Sequence, residues 1–151
     1  MTVPLQRRAA RVLLVDAAGR VLLFLGCDPD DRAAGTWWFT PGGGLDPGET
    51  HRDGAVREVF EETALVLRPQ DLGEMVLERD SQFTLAGTRY AQSEQFFLAR
   101  IQTHDVDTAG FSDFERRFVL DHRWWTLDDL RSTAETVYPE GLADLIGRLT
   151  G

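Results

Sequence analysis

The sequence predicts an α/β fold, in which helices cover the faces of a mixed β-sheet. Strand-like segments outnumber segments with helical periodicity and mostly follow one another directly along the chain. The clearest helical patterns lie in the middle and at the end of the chain, which is typical of helices that pack on a sheet. The length of 151 residues is that of one domain. We therefore expect a single domain over residues 1–151.

Three short segments begin the predicted sheet. Arg11–Val15 and Val21–Leu25 are aliphatic, and the polar segment Asp16–Arg20 between them contains a glycine suited to a hairpin turn. A third β-prone segment, Thr36–Thr40, leads into Pro41–Gly44. Because proline and successive glycines interrupt strands, we expect strand pairing to stop there.

A central helix is predicted over Thr50–Thr63. Thr50 and Asp53 resemble a capping box, so the helix should begin at Thr50. Apolar side chains recur at positions i, i+3, i+4 and i+7, which places them on one face toward the core. These residues are Val56, Val59, Phe60 and Thr63.

The second half of the chain contains most of the remaining strand-like segments. Strands are predicted at Gly73–Arg79, Gln82–Leu85 and Arg89–Ile101, with a turn at Ala86–Thr88 and a further strand at Arg117–Thr126. The segment from Phe111 to Arg116 has the character of a loop.

Two further helices are predicted near the end of the chain. One begins at Thr126–Asp129, and the other begins at Tyr138–Glu140, where the proline occupies a first-turn position. The last helix has apolar residues at i, i+3, i+4 and i+7, which are Leu142, Leu145, Ile146 and Leu149. We expect this face to dock on the sheet.

Charge and cysteine content limit the classes of function. The chain has 16 basic and 25 acidic residues and a formal net charge of −9, which disfavours a broad surface for nucleic-acid polymers. The single cysteine, Cys27, can form neither an intramolecular disulfide nor a thiolate zinc site. No segment approaches the ~20 apolar residues of a membrane-spanning helix, and the start lacks the apolar stretch of a signal peptide. We therefore expect no membrane partner and a cytoplasmic location.

Three glutamates lie opposite the apolar stripe of the central helix. At about 100° per residue, Glu58, Glu61 and Glu62 point away from the predicted core face. Like charges at this spacing destabilise a helix, and Mg²⁺ relieves the repulsion because it binds carboxylate oxygens. In isolation, an ordinary solvated acidic face is the simpler interpretation.

The glycines before this helix favour a functional interpretation. Gly42, Gly43 and Gly44 follow a predicted strand, and we expect their backbone N–H groups to be open to a phosphate. The start of the helix adds further donors and the positive end of its dipole. A phosphate-binding loop beside a metal-binding face predicts a site for phosphoryl chemistry.

The same segment resembles the signature of the Nudix hydrolases. That signature is Gly, five residues, Glu, seven residues, Arg-Glu, a bulky apolar residue, any residue, Glu-Glu, any residue, Gly and a bulky apolar residue. Here it reads Gly43, Glu49 and Arg57-Glu58-Val59-Phe60-Glu61-Glu62-Thr63-Ala64-Leu65. Every specified position matches except Ala64, which stands where the family has the glycine that ends the helix. Ala64 either takes a left-handed backbone at an energetic cost or extends the helix.

The resemblance implies one Nudix hydrolase domain with an α/β/α sandwich, in which helices lie on both faces of a mixed sheet. It also implies Mg²⁺-dependent hydrolysis of a diphosphate linkage in a nucleoside diphosphate derivative, with Mn²⁺ as a substitute metal. The substrate classes include nucleoside triphosphates, nucleotide sugars, dinucleoside polyphosphates and ADP-ribose. Glu58, Glu61 and Glu62 would hold the metal, which lowers the pKa of the attacking water. Arg57 would orient a glutamate or contact phosphate, and Glu49 would brace the loop.

The general base and the substrate contacts are less closely defined. Glu62, Glu94 and Glu115 are the candidates for the base, and each of the last two is also explained as a surface glutamate. Trp38 could stack on a nucleobase or pack in the core, and its neighbouring tryptophan points to the opposite face of the strand. The substrate-binding candidates are thus Trp38 and the glycines at 42–44.

Two other functions stay open. One is an isomerase or other metal-assisted enzyme on the same scaffold, since a fold does not fix a function. The other is a catalytically weak nucleotide-binding module. The nearly complete signature disfavours the first, and the three intact glutamates disfavour the second, because a pure binder gains nothing from crowded charges. We expect a small-molecule nucleotide as the partner, and the tryptophan pairs could serve a homodimer interface as well as a core.

Overall fold

Seven strands form one mixed sheet in the computed structural model, which describes residues 3–151. The strands are β1 (Leu5–Val15), β2 (Val21–Cys27), β3 (Thr36–Phe39), β4 (Gly42–Gly44), β5 (Met75–Leu85), β6 (Thr88–Arg100) and β7 (Val119–Trp125). Their order is β3-β2-β1-β6-β5, while β4 also pairs with β1 and β7 with β2. β1 and β6 run parallel, and the other pairs run antiparallel.

Four helices and two short turns of 3₁₀ helix complete the described part of the chain. The helices are α1 (His51–Thr63), α2 (Asp113–Phe118), α3 (Leu127–Ser132) and α4 (Leu142–Thr150), and the 3₁₀ turns are Arg32–Ala34 and Pro69–Asp71. α1 packs on one face of the sheet, whereas α3 and α4 pack on the other. The predicted α/β class, with a mixed sheet between helices, is confirmed.

The core has two layers because β1 and β2 are buried on both sides. Along β1, Val12 and Leu14 face α1 in one cluster, while Leu13 and Val15 face α4 in the other. This alternation follows from the two-residue period of a strand, and it explains why the buried strands read as continuous aliphatic runs. The two aliphatic segments, Arg11–Val15 and Val21–Leu25, therefore predicted the central strands of the sheet correctly.

Both predicted hairpins are present. Asp16 closes the β1–β2 turn, since its Oδ1 accepts from the N–H groups of Ala18 and Arg20 at 3.1 and 2.8 Å. The β5–β6 turn consists of Ala86 and Gly87, with φ values of 51° and 80°. Two consecutive positive φ values match the twist of a two-residue hairpin. β1 and β2 are longer than predicted, β5 runs unbroken from Met75 to Leu85, and β6 keeps its predicted length with a shift of one residue.

The expectation that strand pairing stops at Pro41–Gly44 is wrong. Gly42–Gly44 forms β4, which pairs antiparallel with residues 9–11 of β1. Gly42 has φ 140°, which a residue with a side chain rarely adopts, and a Cβ at Gly43 would stand 2.8 Å from Glu58 Oε1. The glycines therefore serve close packing within a strand rather than an open loop.

The start of α1 is as predicted, but its buried face is different. Thr50 Oγ1 accepts from the N–H of Asp53 at 3.1 Å and caps the helix. Phe60 is 54% exposed, whereas Glu62 is only 3% exposed. Gly54 lies against Leu45 and Glu49 of the preceding segment, Ala55 lies in the core, and Glu62 rather than Phe60 completes the buried face.

Two further helix predictions are corrected. The predicted loop Phe111–Arg116 contains most of α2, whose six residues are too few to show a helical period. The last helix begins at Leu142 and not at Tyr138–Glu140, because Gly141 occupies the cap position with φ 75°. Its apolar face is as predicted and packs against the sheet. No helix of residues 3–151 is long and apolar enough to cross a membrane.

Ala64 ends α1 in a left-handed backbone conformation. Its φ is 65° and its ψ is 7°, and its N–H donates to the carbonyl of Phe60 at 2.9 Å. Of the two alternatives for this position, the strained one therefore holds. A left-handed residue with a Cβ costs more than glycine does.

We predict that Ala64→Gly raises the free energy of unfolding by about 0.5–1 kcal/mol, because glycine removes the left-handed strain. Urea denaturation followed by circular dichroism would measure it. Ala55→Gly is the matched control, since Ala55 lies inside the same helix and its replacement should lower stability. A loss of stability in both variants would contradict the assignment of strain to Ala64.

Candidate active site

Three carboxylates converge where α1 and α2 meet. Glu58 and Glu62 come from α1, and Glu115 comes from α2; each offers one ligand oxygen, and these oxygens lie within 4.8 Å of one another. Glu58 and Glu62 are four residues apart, so they share one face of the helix. We call these three residues the carboxylate cluster.

Glu62 is the buried member of the carboxylate cluster. Its Oε1 accepts a hydrogen bond from the N–H of Gly42 at 2.7 Å, which joins the helix to β4. Burial raises the pKa of Glu62 well above its ordinary value, and the charge of Glu58 raises it further. The site therefore favours a counter-charge that would keep Glu62 ionised.

Glu58 lies against the glycine strand. Its carboxylate is 3.1 Å from Arg57 Nη1, and it occupies the space that a side chain at Gly43 would need. Burial raises the pKa of Glu58, while the neighbouring Arg57 opposes the rise. A side chain at position 43 would displace this carboxylate from its present place.

Glu115 reaches the carboxylate cluster from the cap of a short helix. Its Oε1 accepts from the N–H of Ser112 at 2.9 Å, and Ser112 Oγ accepts from the N–H of Glu115 at 3.1 Å. This capping box fixes the start of α2. Sequence reasoning considered Glu115 only as a base, and the pattern Ser-x-x-Glu was the available signal for the helix that places it.

Arg57 links the helix to the loop before it. Its Nε and Nη2 each lie 2.8 Å from a carboxylate oxygen of Glu49, and Nη2 also donates to the Gly44 carbonyl at 3.1 Å. Glu49 in turn accepts from the N–H of Asp46 at 2.9 Å. The bidentate bond to Arg57 lowers the pKa of Glu49 to about 2, and it raises the pKa of Arg57. The orienting role of Arg57 and the bracing role of Glu49 stay predictions, for which these contacts supply the geometry.

Glu61 lies outside the carboxylate cluster, unlike the predicted set of Glu58, Glu61 and Glu62. Its Oε2 is 3.2 Å from Arg57 Nη1, and its side chain is 43% exposed. Glu115 takes the third place because α2 folds back over the end of α1. The helical spacing alone could not reveal a ligand from another element.

Glu94 is also separated from the carboxylate cluster. It is 4% exposed and bonds Arg11 Nε at 2.9 Å and Arg79 Nη1 at 2.7 Å. With both oxygens in ion pairs on the α4 side of the sheet, it is not available as a base beside Glu62. The expectation that Glu94 could reach the helix glutamates is therefore corrected.

Trp38 and the glycines at 42–44 do not form the open substrate site that the sequence predicted. Trp38 is 5% exposed and packs against Trp125, with ring centroids 5.0 Å apart, in the core on the α4 side. It therefore does not face the carboxylate cluster. The N–H of Gly42 is already bonded to Glu62, so the glycines do not form an open phosphate loop. They bring β4 close to the carboxylates instead.

Two surface hollows lie away from the carboxylate cluster. One, of about 410 Å³, crosses β5 and β6 near Ser81 and Ser93. The other, of about 580 Å³, lies beside the β1–β2 turn and reaches Arg100. Neither is lined by a converging group of carboxylates, so the carboxylate cluster is the better candidate for chemistry.

Comparison with known proteins agrees with this geometry. A family model described as the NUDIX domain matches residues 5–145. The chain is 36% identical over 112 residues to a protein named RNA pyrophosphohydrolase from Erythrobacter litoralis (strain HTCC2594). That alignment covers 67% of this chain and 65% of the relative, so the match spans slightly less than two thirds of the relative's length.

Solved structures share the fold at low sequence identity. The crystal structure of MutT protein from Methanosarcina mazei Go1 has a TM-score of 0.71 and 20% identity, and the match covers 98% of this chain and 95% of that one. A MutT NUDIX hydrolase from Burkholderia pseudomallei has a TM-score of 0.68 and 21% identity, with 96% and 98% covered. A C. elegans Ap4A hydrolase has a TM-score of 0.61 and 22% identity, with 95% and 94% covered.

The Glu49–Arg57 pair should make stability depend on acid. The pKa of Glu49 is about 2 in the folded protein and close to 4.5 when unpaired. Its contribution is therefore complete above pH ~4.5 and is lost as the pH falls toward 2. We predict that Glu49→Gln removes about 2 kcal/mol of the loss in unfolding free energy that wild type shows between about pH 6 and pH 3.

Urea denaturation at a series of pH values would measure this difference. Glu74→Gln is the control, because Glu74 is exposed and forms no ion pair with another residue of 3–151. It should keep the wild-type pH dependence. Parallel curves for wild type and Glu49→Gln would show that the pair does not carry the acid sensitivity.

Proposed function

The chain belongs to the NUDIX family, and on that premise we propose that it is a pyrophosphohydrolase. It would hydrolyse the diphosphate linkage of a nucleoside diphosphate derivative by attack of water on phosphorus. Mg²⁺ would be the cofactor, with Mn²⁺ as a substitute. The observation that carries the proposal is the convergence of Glu58, Glu62 and Glu115 beside the glycine strand.

The donor set of the carboxylate cluster fits a hard divalent cation. Each of its three residues supplies oxygen, and Mg²⁺ takes oxygen ligands almost exclusively. Burial raises the pKa of Glu62, and a positive ion beside it would favour its ionised form. When bound, such a cation would neutralise phosphate charge and make the attacking water more acidic.

The residues in and around the carboxylate cluster would have three different roles: metal ligand, positioning residue and general base. Glu62 is held by the N–H of Gly42, which suits a ligand in a fixed position. Arg57 holds the glycine strand through the Gly44 carbonyl and thereby keeps it close to Glu58. Glu115 bonds its own helix cap through one oxygen, and the other can accept a proton from water. We therefore assign Glu115 as the general base.

Glu61 has a supporting role in this proposal. Its bond to Arg57 helps to hold the guanidinium between the loop and the helix. Since the side chain is 43% exposed, its loss should disturb the site less than the loss of a buried carboxylate. The variant Glu61→Gln therefore tests whether Glu61 binds the metal or only holds Arg57 in place.

The substrate class includes one further candidate. The name of the Erythrobacter litoralis relative refers to RNA, so a triphosphorylated 5′ end of RNA joins the nucleotides already considered. The charge of −9 disfavours a long contact with an RNA chain. We propose a small nucleotide as the main substrate. The second candidate is an RNA that contacts the protein only through its triphosphorylated 5′ end.

We predict that turnover requires a divalent metal and falls about 10²–10⁴-fold in Glu62→Gln and Glu115→Gln, because each removes a carboxylate from the carboxylate cluster. Glu61→Gln should fall less than about tenfold. Phosphate and pyrophosphate release would be measured with Mg²⁺, Mn²⁺ or chelator. The panel would hold nucleoside triphosphates, nucleotide sugars, Ap4A, ADP-ribose and a 5′-triphosphorylated RNA.

The outcomes separate this proposal from the two other functions. Nucleotide binding without turnover, in folded wild-type protein, would favour the binding module. Metal-dependent conversion of a substrate without phosphate release would favour the isomerase. An equal loss in Glu61→Gln and Glu62→Gln would show that Glu61 is a ligand and not a support.

A further inference from the structure

The loop between β6 and α2 leads to Glu115, which completes the carboxylate cluster. This loop, residues 101–112 of the described chain, contains no regular secondary structure, and we call it the connecting loop. It starts at the end of β1, where the N–H of Ile101 donates to the Val15 carbonyl at 2.9 Å. Because such a segment has many conformations of similar energy, contacts with the rest of the protein have to fix its path.

His104 ties the connecting loop to the last carbonyl of α1. Its Nε2 lies 2.7 Å from the carbonyl oxygen of Thr63, and since a carbonyl can only accept, Nε2 carries the proton and donates. The N–H of Asp107 donates to the same oxygen at 3.1 Å. The last carbonyls of a helix have no partner within the helix. The connecting loop therefore satisfies the carbonyl that directly follows Glu62 in the chain.

Gly110 brings the backbone of the connecting loop against the same end of α1. A Cβ at position 110 would stand 2.5 Å from the carbonyl oxygen of Glu61, so only glycine fits there without a shift of the loop. Ser112 follows two residues later and forms the capping box with Glu115. The contact with the backbone of α1 thus lies close in sequence to the residue that enters the carboxylate cluster.

Polar and apolar contacts of the connecting loop have different effects. The side chains of Ile101, Val106 and Phe111 pack against the core on the α1 side. These contacts hold the loop near the core but permit small shifts, because the hydrophobic effect has no direction. A hydrogen bond is directional and weakens steeply when it is misaligned. The bond of His104 therefore determines where the loop lies along α1, which matters for carboxylate oxygens within 4.8 Å of one another.

We propose that His104 is a positioning residue for Glu115. By holding the connecting loop at the end of α1, it keeps the Glu115 carboxylate beside those of Glu58 and Glu62. The inference rests on the proposed hydrolase function, and it names the residue that holds the general base in place. His104 contacts neither the metal nor the substrate, so its loss acts through Glu115. A misplacement of about 1 Å in a reacting group costs about 10²-fold in rate.

The first test requires neither metal nor turnover. His104→Leu removes the donor, whereas His104→Gln keeps one, because the glutamine amide nitrogen is as many bonds from Cα as Nε2 of histidine. Amide hydrogen exchange would be followed at Arg116 and Val119, whose N–H groups bond the carbonyls of Ser112 and Glu115. We expect exchange at least about fivefold faster in His104→Leu and within about twofold of wild type in His104→Gln.

Two further variants control this experiment. Ser132→Ala removes a similar bond on the other side of the sheet, since Ser132 Oγ donates to the Asp128 carbonyl at 2.9 Å in the last turn of α3, and it should leave exchange in α2 unchanged. Gly110→Ala keeps His104 but moves the connecting loop from α1, so it should speed exchange in α2. Equal exchange in wild type and His104→Leu, or exchange that rises equally in the sheet and in α2, would overturn the proposal.

Turnover separates a positioning role from a merely structural one. If wild type hydrolyses a nucleotide, His104→Leu should lower kcat about 10²-fold with little change in KM, because Glu115 acts on water and not on the bound substrate. His104→Gln should recover most of this loss. In a Glu115→Gln background, His104→Leu should have no further effect, since the two residues act as one unit.

The outcomes distinguish this proposal from the hydrolase itself. Additive losses of kcat in His104→Leu and Glu115→Gln would overturn the role of His104 and leave the hydrolase intact. Absence of turnover in wild type would count against the hydrolase, while hydrogen exchange in α2 would still decide whether His104 holds Glu115 in place.

Discussion

The hydrogen bond from the N–H of Gly42 to the Glu62 carboxylate, 2.7 Å long, is the contact on which the site depends. It is buried, and it joins the shortest strand of the sheet to the helix that supplies two members of the carboxylate cluster. The bond requires close approach of β4 and α1, which only small residues permit, and Gly43 meets this need beside Glu58. The glycines of β4 thus provide the space and the N–H donor that Glu58 and Glu62 need in their present positions.

The second constraint is charge. The carboxylate cluster concentrates negative charge near the end of α1, and the helix can hold it only because one cation lies among the acids. Arg57 contacts Asp46, Glu49, Glu58 and Glu61 within 3.2 Å. Its strongest bond is to Glu49, outside the carboxylate cluster. The arginine therefore positions the helix and the loop without neutralising Glu62, which stays available for a cation.

The sequence predicted the fold class and the composition of the site better than its geometry. Periodicity and turn residues identified the buried strands, because burial on both faces leaves an unambiguous aliphatic signal. The prediction from periodicity was wrong for the buried face of α1, where contacts with distant parts of the chain override the local pattern. Phe60 fits the apolar stripe of α1 but is exposed, while Glu62 breaks that stripe and is buried. Glu62 accepts its buried hydrogen bond from Gly42, which is twenty residues away in the sequence, so the local pattern could not reveal it.

The residues that partner across the chain were also beyond local reasoning. Glu94 and Glu115 were equivalent candidates in the sequence, and only the fold distinguishes them. Glu94 lies on the face of the sheet that holds Arg11 and Arg79, so its charge is already paired. Glu115 lies on a short helix over the end of α1, where it adds to the negative charge. The short strand β4 separates these two environments. Glu94 therefore joins β5 and β1 through two arginines, whereas Glu115 remains beside Glu58 and Glu62, where a divalent cation would offset the shared negative charge.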